Sequence, residues 1–330
     1  MALDERRRWP GRRPLLVLAS ALALAGCSGF QSALDPAGQE ARVVARLFWV
    51  MLVAGAVIWL AMMLLALHAS RRRQAPWSDR SAARLILWGG AVTPTLILAA
   101  LLVFGLGLMP TLRAPGDGLR IEVQGEQFWW RIRYTLPDGR SLTTANEVRL
   151  PRGQRSEFLL TAQDVIHSFW IPALGGKMDM IPGATNRLVL EPERTGQFRG
   201  VCAEFCGSSH ALMAFSVEVM EPADFDAWVA AELAPAATPR GEGAALFMAR
   251  GCGACHTVRG TAAAGRIGPE LTHLAGRHSL GAGILPNDAA TIDRFIREVN
   301  VIKPGARMPG FAMLPAAETA AIAAWLGSLR

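Results

Sequence analysis

The sequence predicts a multidomain membrane protein: a two-helix transmembrane hairpin, an all-β external domain and a small all-α domain. Three observations carry that prediction. Two apolar runs, 47–67 and 85–109, are each long enough to cross a hydrocarbon core of about 30 Å. The stretch behind them breaks into short alternating segments punctuated by turn residues. The last part returns to helical spacing around a Cys-x-x-Cys-His motif. With 330 residues, 51% of them hydrophobic, the chain can hold soluble domains as well as spans.

The first segment has a basic start, an apolar run over 14–25 and a small-residue stop, which make residues 1–26 a signal peptide. Its ending, Leu24-Ala25-Gly26-Cys27, resembles a bacterial lipobox, in which Cys27 is acylated and becomes the mature N-terminus. A lipidated N-terminus and the two spans then fill 27–115. The formal net charge is +7, yet from residue 111 onward 22 basic residues meet 22 acidic ones. The excess lies in Arg6, Arg7, Arg8, Arg12 and Arg13 and in Arg71, Arg72, Arg73, Arg80 and Arg84. Both clusters flank apolar runs, where positive charge marks the cytoplasmic side. The basic balance therefore reports membrane topology, and no nucleic-acid partner is expected. Cys27 is outside, the loop 69–84 inside, and everything after residue 111 outside, on a bacterial inner membrane.

The external β domain is expected over 116–230. Strands read at 119–124, 130–134, 156–160 and 187–191, with Pro137-Asp138-Gly139 as a turn. Many short strands without long helices imply a sandwich or barrel. A linker at 231–241 contains Ala234-Pro-Ala-Ala-Thr-Pro-Arg-Gly. Helices at 242–250, 289–300 and 316–329 then build the all-α domain over 242–330.

The five cysteines are Cys27, Cys202, Cys206, Cys252 and Cys255, an odd number that argues against a pure disulfide framework. The run Val201-Cys-Ala-Glu-Phe-Cys-Gly-Ser-Ser-His-Ala-Leu-Met213 offers Cys202, Cys206, His210 and Met213 at short intervals. Thiolate, thioether and imidazole together suit copper. Zinc and a Cys202–Cys206 disulfide are the alternatives. A second histidine, His167, stands upstream in Asp164-Val-Ile-His-Ser-Phe-Trp-Ile-Pro172.

These segments, with Gly176-Lys-Met-Asp-Met-Ile-Pro-Gly183, closely resemble subunit II of cytochrome c oxidase, over about residues 48–228. The resemblance implies a cupredoxin β domain with a dinuclear copper A centre. In it Cys202 and Cys206 bridge two copper ions, His167 and Met213 complete one, and His210 and the Glu204 carbonyl complete the other. The Glu204 side chain would reach a magnesium or manganese ion shared with subunit I. Gly125-Glu-Gln-Phe-Trp-Trp130 resembles the family's aromatic segment, where electrons arrive from cytochrome c. Phe128 stands where a tryptophan is usual, and two of Phe128, Trp129 and Trp130 are expected to be plain strand packing. The usual glutamate of a proton pathway is missing from Ala83-Arg-Leu-Ile-Leu-Trp88.

Gly251-Cys-Gly-Ala-Cys-His256 is a haem attachment motif, with Cys252 and Cys255 as thioether donors and His256 as the proximal iron ligand. A thioredoxin-like pair is the alternative, but it needs a βαβ context. Lys303-Pro-Gly-Ala-Arg-Met-Pro309 presents Met308 as sixth ligand, with Met313 and Met248 as rivals. Ile267-Gly-Pro-Glu-Leu271 resembles the loop that packs by the proximal histidine. His273 and His278 are expected on the surface, and Phe247 and Trp325 as a packed helix pair. This domain resembles a class I cytochrome c.

The chain thus looks like a bacterial oxidase subunit II with a fused cytochrome c, one covalent haem c and two coppers. Its expected partners are subunit I, other oxidase subunits, the membrane and a periplasmic donor such as cytochrome c. Oxygen reduction and proton translocation would belong to subunit I. A metal-free quinol-oxidase version conflicts with the complete donor set. A copper-delivery protein or the copper module of another reductase, such as nitrous oxide reductase, remains the other class of reading.

Overall fold

A computed structural model describes residues 28–71, 78–237 and 240–330. The expected signal peptide and the acylation expected at Cys27 lie outside the described residues.

Both apolar runs form helices longer than their apolar centres. Helix α1 is Gln39–Arg71 and helix α2 is Asp79–Leu112, and the most apolar window of each is unburied along its length. The Ser78 hydroxyl caps the start of α2 by accepting from the Ser81 amide. A π-helical stretch, Ile86–Val92, widens α2 just ahead of Pro94. Proline cannot donate to the carbonyl four residues back and its ring crowds it, so the local widening has a steric cause.

The first turn of α1 is held by the β domain. Ala37 and Ala41 donate their amides to the Ala173 and Leu174 carbonyls at 2.7 and 3.1 Å. Glu40, buried, takes Arg155 at 2.7 Å and the Glu191 amide at 2.8 Å. Arg155 also donates to the Thr111 carbonyl at 3.1 Å, and Arg187 to Arg113 and Ala114. One domain thus grips both outer ends of the hairpin.

That domain is a sandwich of two five-stranded mixed sheets. The strands are β1 Arg120–Glu126, β2 Trp129–Thr135, β3 Ser141–Ala145, β4 Glu147–Pro151, β5 Ser156–Ala162, β6 His167–Trp170, β7 Met178–Met180, β8 Asn186–Leu190, β9 Gly196–Cys202 and β10 Ala214–Met220. Their order is β3-β2-β1-β5-β8 in one sheet and β4-β10-β9-β6-β7 in the other. Alternation along β2 sends Trp130, Ile132 and Tyr134 inward. Phe169 and Phe215 stack at 4.7 Å, and the Trp130 edge meets both. Gly200 permits this, because a Cβ there would lie 2.0 Å from the Phe215 ring.

Helix α3, Pro222–Leu233, closes the domain through Phe225 and Val229. The described start of the expected linker, up to residue 237, is docked on the last domain. The Ala236 amide donates to the Arg259 carbonyl at 3.1 Å, and His273 meets the Ala234 carbonyl at 3.0 Å. Helices α4 Glu242–Ala249, α5 Ala289–Ile302 and α6 Ala316–Leu326 form the last domain. Phe247 and Trp325 pack at 5.2 Å, as the helix pattern implies.

The two external domains share a hydrogen-bonded seam. Ser208 and Ser209 both donate to the Pro304 carbonyl, at 2.8 and 2.6 Å. Arg199 donates to Gly283 at 3.1 Å, Arg149 to Gly276 at 3.0 Å, and the Ala214 amide to Ala282 at 3.0 Å. One expectation is corrected and the other holds: His273 is not a surface histidine, whereas His278 is exposed. His273 is buried under the docked linker, while His278 is wedged between Glu147, through its amide, and Glu218, at 2.8 Å. Arg149 fills the same cluster, 2.6 Å from Glu147 and 3.4 Å from Glu218, so it is an ion-paired latch.

Candidate metal centre and haem cavity

Strand β6 begins with His167, β9 ends with Cys202, and the loop behind it carries Cys206, a short 3-10 turn at His210–Leu212 and then Met213. Sheet pairing makes these neighbours, since Phe169 on β6 lies opposite Cys202 on β9. The loop is pinned by Cys202 N to Met213 O at 2.9 Å and by Ala203 N to Ser168 O at 2.9 Å. The Gln127 amide side chain holds the Cys206 carbonyl at 2.6 Å. Gly125 leaves room for the imidazole: a Cβ there would come 2.9 Å from the His167 ring.

Six donors converge in this pocket. Cys202 Sγ lies 3.9 Å from Cys206 Sγ, 3.9 Å from His167 Nδ1 and 3.2 Å from the Glu204 carbonyl. Cys206 Sγ lies 3.6 Å from His210 Nδ1 and 3.8 Å from Met213 Sδ. The thiols are free, so the disulfide alternative is not formed. His167, Cys202, Cys206 and Met213 are all buried. Hydrogen bonding from Cys206 holds the Cys202 thiol far below its ordinary value, and the same proton sharing pushes Cys206 up. Burial pulls the His167 pKa down, but Cys202 and Asp164 outweigh it and leave the pKa raised. Two soft sulfur anions, a thioether and two imidazoles aimed by Nδ1 fit copper, and a buried thioether does not fit zinc. The Glu204 side chain turns away from the sulfurs, half-exposed, with Lys177 at 3.8 Å.

The outer nitrogen of His167 is not free. Its Nε2 lies 2.9 Å from Asp164 Oδ1, while Asp164 Oδ2 accepts from the Gln127 amide at 2.8 Å and from Arg307 at 3.2 Å. Sequence reasoning assigned Asp164 no role. Its place three residues before His167 was the only available signal.

In the last domain Cys252, Cys255, His256 and Met308 line one cavity of about 340 Å³. His256 Nδ1 donates to the Pro269 carbonyl at 2.7 Å, which leaves Nε2 for a metal. Burial lowers the His256 pKa and keeps the imidazole neutral, the form that ligates iron. Met308 belongs to the lining; Met248 packs on Gly253, and Met313 is 76% exposed. Thioether donors, a neutral imidazole and a methionine around an apolar space fit a covalent haem.

The cavity does not end at the domain edge. Gln127, Phe128 and Trp129, from the β1–β2 connection, line it too. Phe128 is 4% exposed, and Cβ atoms built at Gly207 and Gly305 would approach its ring to 3.1 and 3.2 Å. The ring therefore spans from the backbone beside Cys206 to the loop that carries Met308. Arg131 stacks 4.6 Å over Trp129. Phe128 and Trp130 both pack in the core of the β domain, as expected for two of the three aromatics, and Phe128 lines the cavity as well. Lys303, which sequence reasoning missed, is buried in the same lining and donates to the Gly281 carbonyl at 2.6 Å; burial lowers its pKa to about 7.

Comparison with known proteins agrees with this arrangement. The family model "Cytochrome C oxidase subunit II, periplasmic domain" matches residues 135–220, and "Cytochrome c" matches 241–330. Cytochrome c oxidase subunit 2 of Alkalihalophilus pseudofirmus is 34% identical over 94% of this chain and 94% of its own length. The subunit 2 of Bacillus sp. PS3 is 35% identical over 71% of this chain and 70% of its own. The periplasmic domain of subunit II (CoxB) from Bradyrhizobium japonicum is 32% identical, with a TM-score of 0.33 over 36% of this chain and 94% of that one.

Proposed function

The chain belongs to the cytochrome c oxidase subunit II family, with a cytochrome c domain behind the copper domain, and on that premise we propose that it accepts electrons at a covalent haem c and passes them through dinuclear copper A to haem in subunit I. It is a component of a haem-copper oxidase, an oxidoreductase whose oxygen-reducing, proton-translocating site lies on subunit I. Bound iron and copper supply the one-electron chemistry, which no side chain of this chain could carry alone.

The residues have distinct tasks. Cys252 and Cys255 would hold the porphyrin and His256 and Met308 would ligate the iron, a pairing that would favour a high potential. Cys202, Cys206, His167, Met213, His210 and the Glu204 carbonyl would hold the copper pair, which would supply the one-electron relay. Burial by Trp130, Phe169 and Phe215 keeps water from the sulfurs, and hydrogen bonds to that shell tune the metal. The Glu204 carboxylate is offered to a magnesium or manganese ion at the face that meets subunit I. The domain limits 27–115, 116–230, 231–241 and 242–330, two membrane passes, an acylated Cys27 and a periplasmic location complete the reading. Its partners are subunit I, other oxidase subunits and a periplasmic donor.

One observation supports the route above all others: Phe128 lines the haem cavity and also touches the backbone next to Cys206. The docked domain covers the surface where a separate cytochrome c would otherwise approach the copper. The test is a Cys252→Ala/Cys255→Ala chain assembled in the oxidase. It should keep the copper A spectrum, with two coppers per chain, yet lose most turnover with soluble cytochrome c. Full turnover without the haem would refute the route.

A further inference from the structure

Asp164 touches both external domains at their redox sites. Through Oδ1 it meets the outer nitrogen of His167 at 2.9 Å, and through Oδ2 it meets Arg307 at 3.2 Å. Arg307 belongs to the other domain, 143 residues away in sequence and next to Met308. Asp164 is mostly buried, whereas the Arg307 side chain is 58% exposed and reaches in from the seam. The Gln127 and Val165 amides also hold the carboxylate, so its position does not depend on Arg307 alone.

We propose that Arg307 is a positioning residue which, through Asp164, adjusts how strongly His167 donates to copper, so that the copper site registers whether the cytochrome domain is seated. The inference rests on the copper assignment made for His167 above. A carboxylate that accepts the outer N–H of a ligating imidazole makes that imidazole a stronger donor. A guanidinium on the other carboxylate oxygen draws density away and weakens the effect. When the cytochrome domain is docked, Arg307 is in place and His167 donates less. Weaker donation favours the reduced copper pair, so docking raises the affinity of copper for the electron about to arrive. An undocked domain withdraws Arg307 and reverses this.

The experiment uses the full-length chain in its complex and reads the copper midpoint potential and the copper electron paramagnetic resonance spectrum, neither of which is activity. Arg307→Met should lower the copper potential, and Arg307→Lys should restore most of it. Asp164→Asn should raise the potential, and in that background Arg307→Met should lose most of its effect. An equal Arg307→Met shift with and without Asp164 would mean a general field and would overturn the relay. An unchanged copper potential in Arg307→Met would also overturn it. If Asp164→Asn does not load copper, the electron paramagnetic resonance of Arg307→Met decides: a changed nitrogen coupling from His167 supports the relay, and a shifted potential with that coupling unchanged overturns it. Absence of a mixed-valence copper signal in the unmodified chain would instead sink the copper assignment, which keeps the two failures apart.

Discussion

Gly268 sets the position of the proximal histidine, and Gly268→Ala tests how tightly. A methyl group there would lie 2.5 Å from His256 Cε1, 2.9 Å from Nδ1 and 3.0 Å from Nε2. Carbon contacts are comfortable near 3.5 Å, so the ring must retreat by roughly 1 Å. The backbone cannot yield instead, because the Gly268 amide is held by the Cys255 carbonyl at 2.8 Å. Retreat stretches the His256–Pro269 hydrogen bond, a loss of about 0.5–1.5 kcal/mol. Overpacking adds about 1–3 kcal/mol. With a melting shift of about 4–8 °C per kcal/mol for a domain of this size, the haem domain should melt roughly 20 °C lower. The assay is thermal unfolding followed at the haem absorption band of the full-length chain, together with haem content per chain. Gly276→Ala is the control: nothing lies within 4 Å of a Cβ there, and it should change little. If Gly268→Ala melts and loads haem like the control, the packing argument fails.

Arg155→Met should leave the buried Glu40 carboxylate without its cation, destabilising the β domain by about 3–5 kcal/mol; Glu40→Gln in the same chain should recover part of the lost melting temperature. Cys202→Ser should remove the coupled copper signal, while the haem spectrum stays unchanged because no haem ligand is shared. Acid should act on His256. Its folded pKa is lowered, so between that value and 6.5 the unfolded chain binds more protons, and stability falls as pH drops through this window. In the haem-free chain the melting temperature followed by circular dichroism should therefore fall as pH drops below 6.5, and a flat profile down to pH 5 would contradict it.

The sequence by itself determined whatever depends on side-chain identity over short distances. Two apolar runs are each long and apolar enough to cross a membrane. Cys252, Cys255 and His256 sit within one turn of chain, and Cys202, Cys206, His210 and Met213 within one loop, so their chemistry is written consecutively. The four strands read from the sequence correspond to β1, β2, β5 and β8, and burial alternates along the first three of them. Strands such as β4 and β6 escaped because they are buried on nearly every residue and carry no two-residue period. The tertiary structure alone decided how the redox domains meet. Their seam is built largely from carbonyls, those of Gly276, Ala282, Gly283 and Pro304, and every residue has a carbonyl, so no sequence pattern announces it. Phe128 as a bridge, His278 as a latch and Asp164 between His167 and Arg307 exist only once that seam closes, because each joins groups that the chain keeps dozens of residues or more apart.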